Sequence, residues 1–335
     1  MFKVALVHID EPNPLIPDWV RHQLERQHVD LSFQQCSVSL EVSALAADAD
    51  VVWVFGGSEL ITPETLADLK RCRAIIRTGS GTDNIPVDEA TERGILVVNT
   101  PQATMDPVSD HVIGLMLSVL RWIPRQDRVM RQGGWRSDHL VWNGHLSGST
   151  VGLVGLGHIA RRTVQKLSGF DLEFMAYDPH VSASDMTELR VVKSELDDVL
   201  RKSDIVSLHT PLTDETYHLI GERELQLMKP KSILINTARG PVVDEQALVR
   251  ALTEGRIAAA ALDVFETKPL TLDSRLRQLE NVVLTPHVAS ESDQVSEDFW
   301  RYSVEAVTDM AQGFLPASFV NPQVVDRCGF TSRDS

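Results

Sequence analysis

Short runs of aliphatic and β-branched residues alternate along this chain with stretches whose apolar positions recur every three or four residues. The runs predict strands and the spaced positions predict helices. Over the first hundred or so residues the strand candidates are Lys3–His8, Leu31–Gln35, Val51–Phe55, Ala74–Arg77 and Leu96–Val98. Helical patterns fall between them at Trp19–Arg26, Leu40–Ala47, Thr62–Lys70 and Asp88–Arg93. Thr62 followed by Pro63 is a cap-then-proline start, because the ring fixes a helical φ where no N–H is needed. A second series begins at Val151, with strands over Val151–Val154, Leu172–Tyr177, Ile205–His209, Ser232–Asn236, Ala258–Leu262 and Val282–Leu284. Its helices fall around Ile159–Leu167, Leu196–Arg201, Glu222–Met228 and Glu245–Glu254. The predicted fold class is α/β, with two doubly wound domains, the second a six-stranded Rossmann-type sheet.

Between the two series, Asp106-Pro107 opens a helix running to about Arg121. Its apolar residues, from Val108 to Leu120, lie nearly all round, which predicts either a core helix or a helix packed on a second subunit. A loop rich in Gly and Trp follows, from Gln132 to Gly148, carrying Trp135 and Trp142. After His287 a helical pattern spans Ser292–Gly313, and the polar stretch Pro322–Ser335 predicts a loosely ordered tail.

The 335 residues suffice for about two domains, and 43% hydrophobic with 24% charged residues is ordinary for a globular core. A net charge of −15 argues against nucleic acid or an anionic membrane as partner. It leaves room for a small anionic substrate held by a local Arg. Cys36, Cys72 and Cys328 are far apart and match no metal spacing, so free thiols in a cytoplasmic setting and no metal are expected. The N-terminal run reads as a first strand rather than a signal peptide, and no run approaches a membrane span.

The segment Val151-Gly-Leu-Val-Gly-Leu-Gly-His-Ile-Ala160 carries the most chemistry. A buried strand runs straight into a helix through Gly155-Leu156-Gly157. Gly155 permits the tight turn, Gly157 lets backbone approach a pyrophosphate, and Ala160 lets helix and strand pack closely. His158 and Ile159 open the helix, whose N-terminal amides favour phosphate. Asp178, at the end of the next apolar run, can accept from a ribose 2′-hydroxyl and would repel a 2′-phosphate. The cofactor expected is therefore NAD rather than NADP.

Several further segments, in order, resemble the D-isomer-specific 2-hydroxyacid dehydrogenase family, which includes phosphoglycerate dehydrogenases and hydroxypyruvate/glyoxylate reductases. They are Arg77–Asn84, Ala90–Pro101, Val151–Asp178, Ser203–Thr213, Met228–Gly240, Ala261–Phe265 and Thr285–Val288. The resemblance covers about residues 70–320 and is weakest at the start of the chain. It implies a flavodoxin-like substrate domain built from residues 1–101 and 288–335, with a Rossmann cofactor domain, 102–287, inserted between them and a cleft where they meet. It also implies a homodimer, with the long helix as a dimer element and Trp135 and Trp142 on a loop that in some relatives reaches the partner's site.

The resemblance assigns roles residue by residue. Arg239 is the catalytic arginine, whose planar fork suits a carboxylate plus keto oxygen, and His287 is the general acid/base. Asp263 bonds the nicotinamide carboxamide. Thr237 and Ala238, with His209-Thr210-Pro211 and Thr104, line the cofactor. Gly79-Ser80-Gly81 presents amides to the substrate carboxylate, a nest-like anion site, and Ser58 faces the same cleft. Asn84 is structural. Relatives carry a Glu five residues after the Asp of the Asp-Val-Phe segment; here that position is Lys268. A cation there would lower the pKa of His287. Either Glu266 takes over, or the enzyme works without such a Glu, or the chain has another task.

The activity expected is hydride transfer between NAD(H) and a small D-2-hydroxy or 2-keto acid. Two alternatives stay open: an NAD(H)-sensing, corepressor-like binding protein, and a formate- or phosphite-type oxidation.

Overall fold

The computed structural model describes residues 1–8, 16–56, 59–135 and 144–333. The chain forms two compact units, one made of Met1–Thr104 with Ser292–Ser335 and the other of Met105–Glu291.

The first unit is built on five strands, β1 (Phe2–His8), β2 (Val29–Gln35), β3 (Val51–Phe55), β4 (Ala74–Arg77) and β5 (Leu96–Asn99). All pair in parallel, in the order β2-β1-β3-β4-β5. This is the flavodoxin-like order, as expected. Central strands carry apolar residues on both faces because helices cover both. Leu6, Trp53 and Ile76 join Trp300 and Val304 of the helix Val295–Ala311 in one core. Val7, Val54 and Ile75 join Val42 and Leu66 in the other. Thr62 caps the helix Pro63–Asp68 by accepting from the Thr65 amide.

The C-terminal segment corrects one expectation. Val324, Cys328 and Phe330 are buried, and Asn321 accepts from the Val97 amide while donating to Thr91 Oγ1 and Ile95 O. Arg73 donates to the carbonyls of Cys328 and Gly329 and stacks on Phe330. Through residue 333 the tail is therefore docked. Its few apolar residues are too sparse to show a period.

The second unit holds β6 (Thr150–Val154), β7 (Glu173–Tyr177), β8 (Val191–Lys193), β9 (Ile205–Leu208), β10 (Ile233–Asn236), β11 (Ala259–Leu262) and β12 (Val282–Leu284). The order is β12-β11-β10-β9-β6-β7-β8, again all parallel. Read from β6, this is the Rossmann order with a seventh strand added. The expected six strands missed β8, a three-residue edge strand with one buried side chain, too short to show a pattern. The order reverses between β6 and β9, the switch point at whose carboxyl edge such sheets bind ligands.

The long helix also differs from expectation. It runs from Pro101 to Leu120, with Pro107 inside it. The first proline, not the second, occupies the helix start, and Asp106 is no cap. Its carboxylate pairs with Arg162 at 2.7 Å and Lys166 at 3.0 Å, and the bond to Arg162 holds it below the usual carboxylate range. Val112, Leu115, Met116 and Val119 are buried in the unit's own core, with Ile113 and Leu117 partly covered. A further helix, Ile123–Arg131, follows. Cys36, Cys72 and Cys328 are free thiols. Among the described residues no helix is long and apolar enough to cross a membrane.

Candidate functional site

The carboxyl edge of the second sheet collects the residues of interest. β6, β9, β10, β11 and β12 are successive neighbours, so the loops at 155, 209, 237, 263 and 285 leave the sheet side by side. This adjacency follows from all-parallel pairing, which sends every strand's end to one side.

Gly155 has φ +90°, and a Cβ there would lie 2.8 Å from the His209 carbonyl oxygen. Its amide donates to Tyr177 O at 2.8 Å. Only glycine combines that φ with that approach. Gly157 has ordinary φ (−77°), and nothing lies within 4 Å of where its Cβ would be. The space beside it, immediately before the helix His158–Leu167, fits a phosphate group approaching the backbone. Ala160 is fully buried, as close helix–strand packing requires. Asp178 is half-buried. Its Oδ2 accepts from the Leu156 amide at 2.8 Å and its Oδ1 from the His180 amide at 2.9 Å. Each oxygen retains a further lone pair for a ribose hydroxyl. That Asp178 also braces the glycine turn was not legible from its spacing alone.

At the next strand end, His209 Nε2 lies 2.9 Å from Ser207 Oγ. Burial pushes the imidazole down to about 4, so it is neutral at physiological pH. Thr210 Oγ1 donates to Pro211 O. After β10, Asn236 closes a small ring: its Nδ2 donates to Arg239 O at 2.9 Å and its Oδ1 accepts from the Ala238 amide at 3.0 Å. Thr237, Ala238 and Arg239 are thereby held in a fixed turn, all half-buried. The signal for Asn236 was a fully polar residue ending an apolar strand, and it was read only as a strand end. Arg239 Nη1 donates to Ala238 O at 2.8 Å. A Cβ on Gly240 would lie 1.9 Å from the Phe265 carbonyl carbon and oxygen, so the Arg239 loop presses directly on the backbone after β11.

Asp263 directly follows β11. It is fully buried, and its oxygens accept from Thr285 Oγ1 (2.5 Å), the Val288 amide (3.0 Å) and the Ala289 amide (3.0 Å). With three donors converging on it, the carboxylate organises the 285–289 loop. The Asp263 carbonyl also accepts the His287 amide at 2.8 Å. His287 is exposed with φ +59°, a left-handed conformation uncommon outside glycine and found preferentially at functional sites. His111, from the long helix, was missed by sequence reasoning: its Nε2 lies 3.0 Å from Thr285 Oγ1 and 3.6 Å from Asp263 Oδ1. A lone His on an apolar helix was the only clue.

Glu266 faces His218, whose Nε2 is 2.7 Å from its Oε1, and the same oxygen accepts from the Glu245 amide at 3.2 Å. Lys268 is exposed two residues further on.

In the first unit, Gly79 has φ +115°, and its amide donates to Thr100 Oγ1 at 2.7 Å. The Gly79 amide is therefore engaged by a side chain of its own unit. Ser80 and Gly81 follow, with the Ser80 carbonyl accepting from Asn99 Nδ2 at 2.8 Å. Asn84 accepts from Arg77 Nε at 3.3 Å, a structural bond. Thr104 is buried and donates to Pro101 O within its own helix. Trp135 is exposed, while Ser58 and Trp142 lie outside the described residues.

A family model described as "D-isomer specific 2-hydroxyacid dehydrogenase, NAD binding domain" matches residues 113–289. The chain belongs to the D-isomer-specific 2-hydroxyacid dehydrogenase family. It is an NAD-dependent oxidoreductase of that kind, and the matched span holds every loop of the carboxyl edge described above. The chain is 41% identical over 272 residues to a glyoxylate reductase of Thermofilum pendens, covering 80% of each chain. It is 36% identical over 276 residues to a D-3-phosphoglycerate dehydrogenase of Methanocaldococcus jannaschii, covering 82% of this chain and 52% of that one. Its fold is similar to a D-lactate dehydrogenase from Aquifex aeolicus solved with NAD and lactic acid, with TM-score 0.79, 28% identity, and 94% and 99% of the two chains covered.

Proposed function

We propose that this enzyme reduces a small 2-keto acid to the D-2-hydroxy acid, and the reverse, with Arg239 and His287 as the groups that act on the substrate. The observation that carries the reading is the adjacency of β6, β9, β10, β11 and β12, which gathers the glycine turn, Arg239 and the left-handed His287 along one sheet edge. When bound, NAD supplies the hydride donor or acceptor. The Arg239 guanidinium pairs with the substrate carboxylate and polarises the carbonyl, where fixed donors matter most as charge develops on oxygen. His287 donates a proton to that oxygen on reduction and removes it on oxidation. In this reading residues 1–101 and 288–335 are the substrate domain and 102–287 the cofactor domain. The protein acts as a homodimer, for which the only partly covered Ile113 and Leu117 leave apolar surface.

The partners of Glu266 bear on the unusual Lys268. With its carboxylate engaged by His218 and the Glu245 amide, Glu266 is not the missing acid of the family pattern.

The test is NADH oxidation with glyoxylate, hydroxypyruvate, pyruvate and bulkier 2-keto acids. Turnover of at least one is expected, with a loss of about 10²–10⁴-fold in His287→Gln and of similar size in Arg239→Met. Tight NADH binding with no turnover across the panel would favour a sensing role, and NAD reduction by formate or phosphite alone would favour the non-alcohol chemistry.

A further inference from the structure

Three segments meet beneath Arg239, and one carboxylate ties them together. The first is the 217–220 loop: the His218 amide donates to Pro241 O at 2.8 Å and the Ile220 amide to Val242 O at 3.0 Å. The second is the 240–245 turn that follows Arg239 directly. The third is the loop after β11, whose backbone at Phe265–Glu266 sits against Gly240. Glu266 Oε1 accepts from His218 Nε2 and from the Glu245 amide, the first helical residue of Glu245–Thr253. In return, Glu245 Oε2 accepts the Glu266 amide at 3.3 Å. Burial pushes the Glu245 carboxyl above its ordinary range, and the bond from the Glu266 amide offsets part of that rise.

We propose that His218 and Glu266 are positioning residues for Arg239, forming a staple that fixes the turn carrying it against the loops on either side. The proposal rests on the dehydrogenase reading above. Two local features show that the staple is built. His218 takes a left-handed φ of +51°, and Tyr217 stacks on its ring with centroids 4.1 Å apart and planes 18° from parallel. Both orient the imidazole toward Glu266. The contact at Gly240 leaves no slack between the stapled loop and the arginine's own turn. A guanidinium fork must match carboxylate and carbonyl together, so a shift of about 1 Å costs up to about 10²-fold in rate.

The experiment is steady-state reduction of glyoxylate, or of whichever acid of the panel turns over best, by the NADH-loaded enzyme. kcat and KM are measured separately, with the pH profile of kcat, NADH affinity and thermal midpoint alongside. Glu266→Ala and His218→Ala are each expected to lower kcat/KM by about 10- to 100-fold. The double variant should be no worse than the poorer single, as for two ends of one interaction. Glu266→Gln keeps an acceptor and His218→Gln keeps a donor, so both should recover most of the activity. The pH profile and NADH affinity should stay unchanged in all four single variants. The proposal is overturned if Glu266→Gln collapses activity and moves the pH profile while His218→Ala is silent, because Glu266 would then serve a titrating group. It is equally overturned if activity, NADH affinity and thermal midpoint fall together without rescue by glutamine, which is a general folding role. Failure of the dehydrogenase reading looks different: wild-type enzyme idle on every acid, or Arg239→Met fully active, and either would remove this proposal with it.

Discussion

The loops after β6 and β11 leave the same edge of one sheet, and both pair a turn with an acidic residue. They are organised in opposite ways. After β6, the backbone does the work: Gly155 takes a conformation no other residue tolerates at that approach, and Asp178 braces the turn from twenty-odd residues away. After β11, side chains do it. Asp263 holds the 285–289 loop and Glu266 holds His218 and the Glu245 amide, so every tie runs through a carboxylate. A loop set by backbone conformation depends on few residues. A loop set by side-chain bonds fails wherever one partner is removed.

The contrast is tested hardest at Asp263. Asp263→Ala would leave Thr285 Oγ1 and the Val288 and Ala289 amides without their acceptor in a fully buried site. A loss of about 3–5 kcal/mol is expected in denaturant unfolding, with His287 released from its left-handed conformation. A loss under about 1 kcal/mol would mean that the loop holds itself.

The glycine turn yields the next effect, and it should split between two neighbours. Gly155→Val forces a β-branched residue to φ +90° against the His209 carbonyl, at a cost of about 3 kcal/mol or more. Gly157→Ala meets open space at an ordinary φ, so stability should change by less than about 0.5 kcal/mol. Its effect should fall on NADH affinity, measured by fluorescence titration. Equal stability losses at both glycines would erase the distinction between a turn glycine and an approach glycine.

These two loops also show what was legible beforehand. Gly155, Gly157, Ala160 and Asp178 are read from one short segment because their geometry is local, and a strand of aliphatic residues runs into them without a break. The parallel order of the sheet was legible for the same reason, since alternating strands and helices admit few arrangements. The bonds that Asp263 accepts from residues 285–289 were not legible, because nothing in the spacing announces them. Asn236 and His111 were passed over because a single polar residue in an apolar element has no period to break. The edge strand β8 was invisible for want of length.

His209 lies between the two loops and tests both by pH. Its carbonyl sets the approach to Gly155, and burial lowers its imidazole from an ordinary 6.5 to about 4. The unfolded chain binds a proton there below about pH 6.5 while the folded chain resists until about pH 4. Stability from this group is therefore complete above pH 6.5 and declines as the pH falls toward 4, reaching a loss of about 2 kcal/mol at pH 5. His209→Gln should flatten that part of the acid limb in urea unfolding between pH 7 and 5. An unaltered limb would mean that the imidazole already reaches water.

The smallest expected effect concerns Lys268, at the outer end of the loop after β11. Reduction needs His287 protonated, so its rate declines as the pH rises through the pKa of that imidazole. A neighbouring ammonium disfavours the imidazolium and a carboxylate favours it. If Lys268 faces His287 across a solvated gap of about 5 Å, Lys268→Glu exchanges repulsion for attraction and should move the falling limb of kcat upward by about one pH unit. Because Lys268 is exposed, the shift should shrink as salt is raised, which a purely structural effect would not do. Lys268→Met, which only removes the cation, should move the limb about half as far. An unmoved limb in both variants would place Lys268 away from His287. The departure from the family pattern would then consist in the missing acid alone, and the stapled Glu266 would be the last carboxylate of that loop with a part in the chemistry, acting through Arg239 rather than through the histidine.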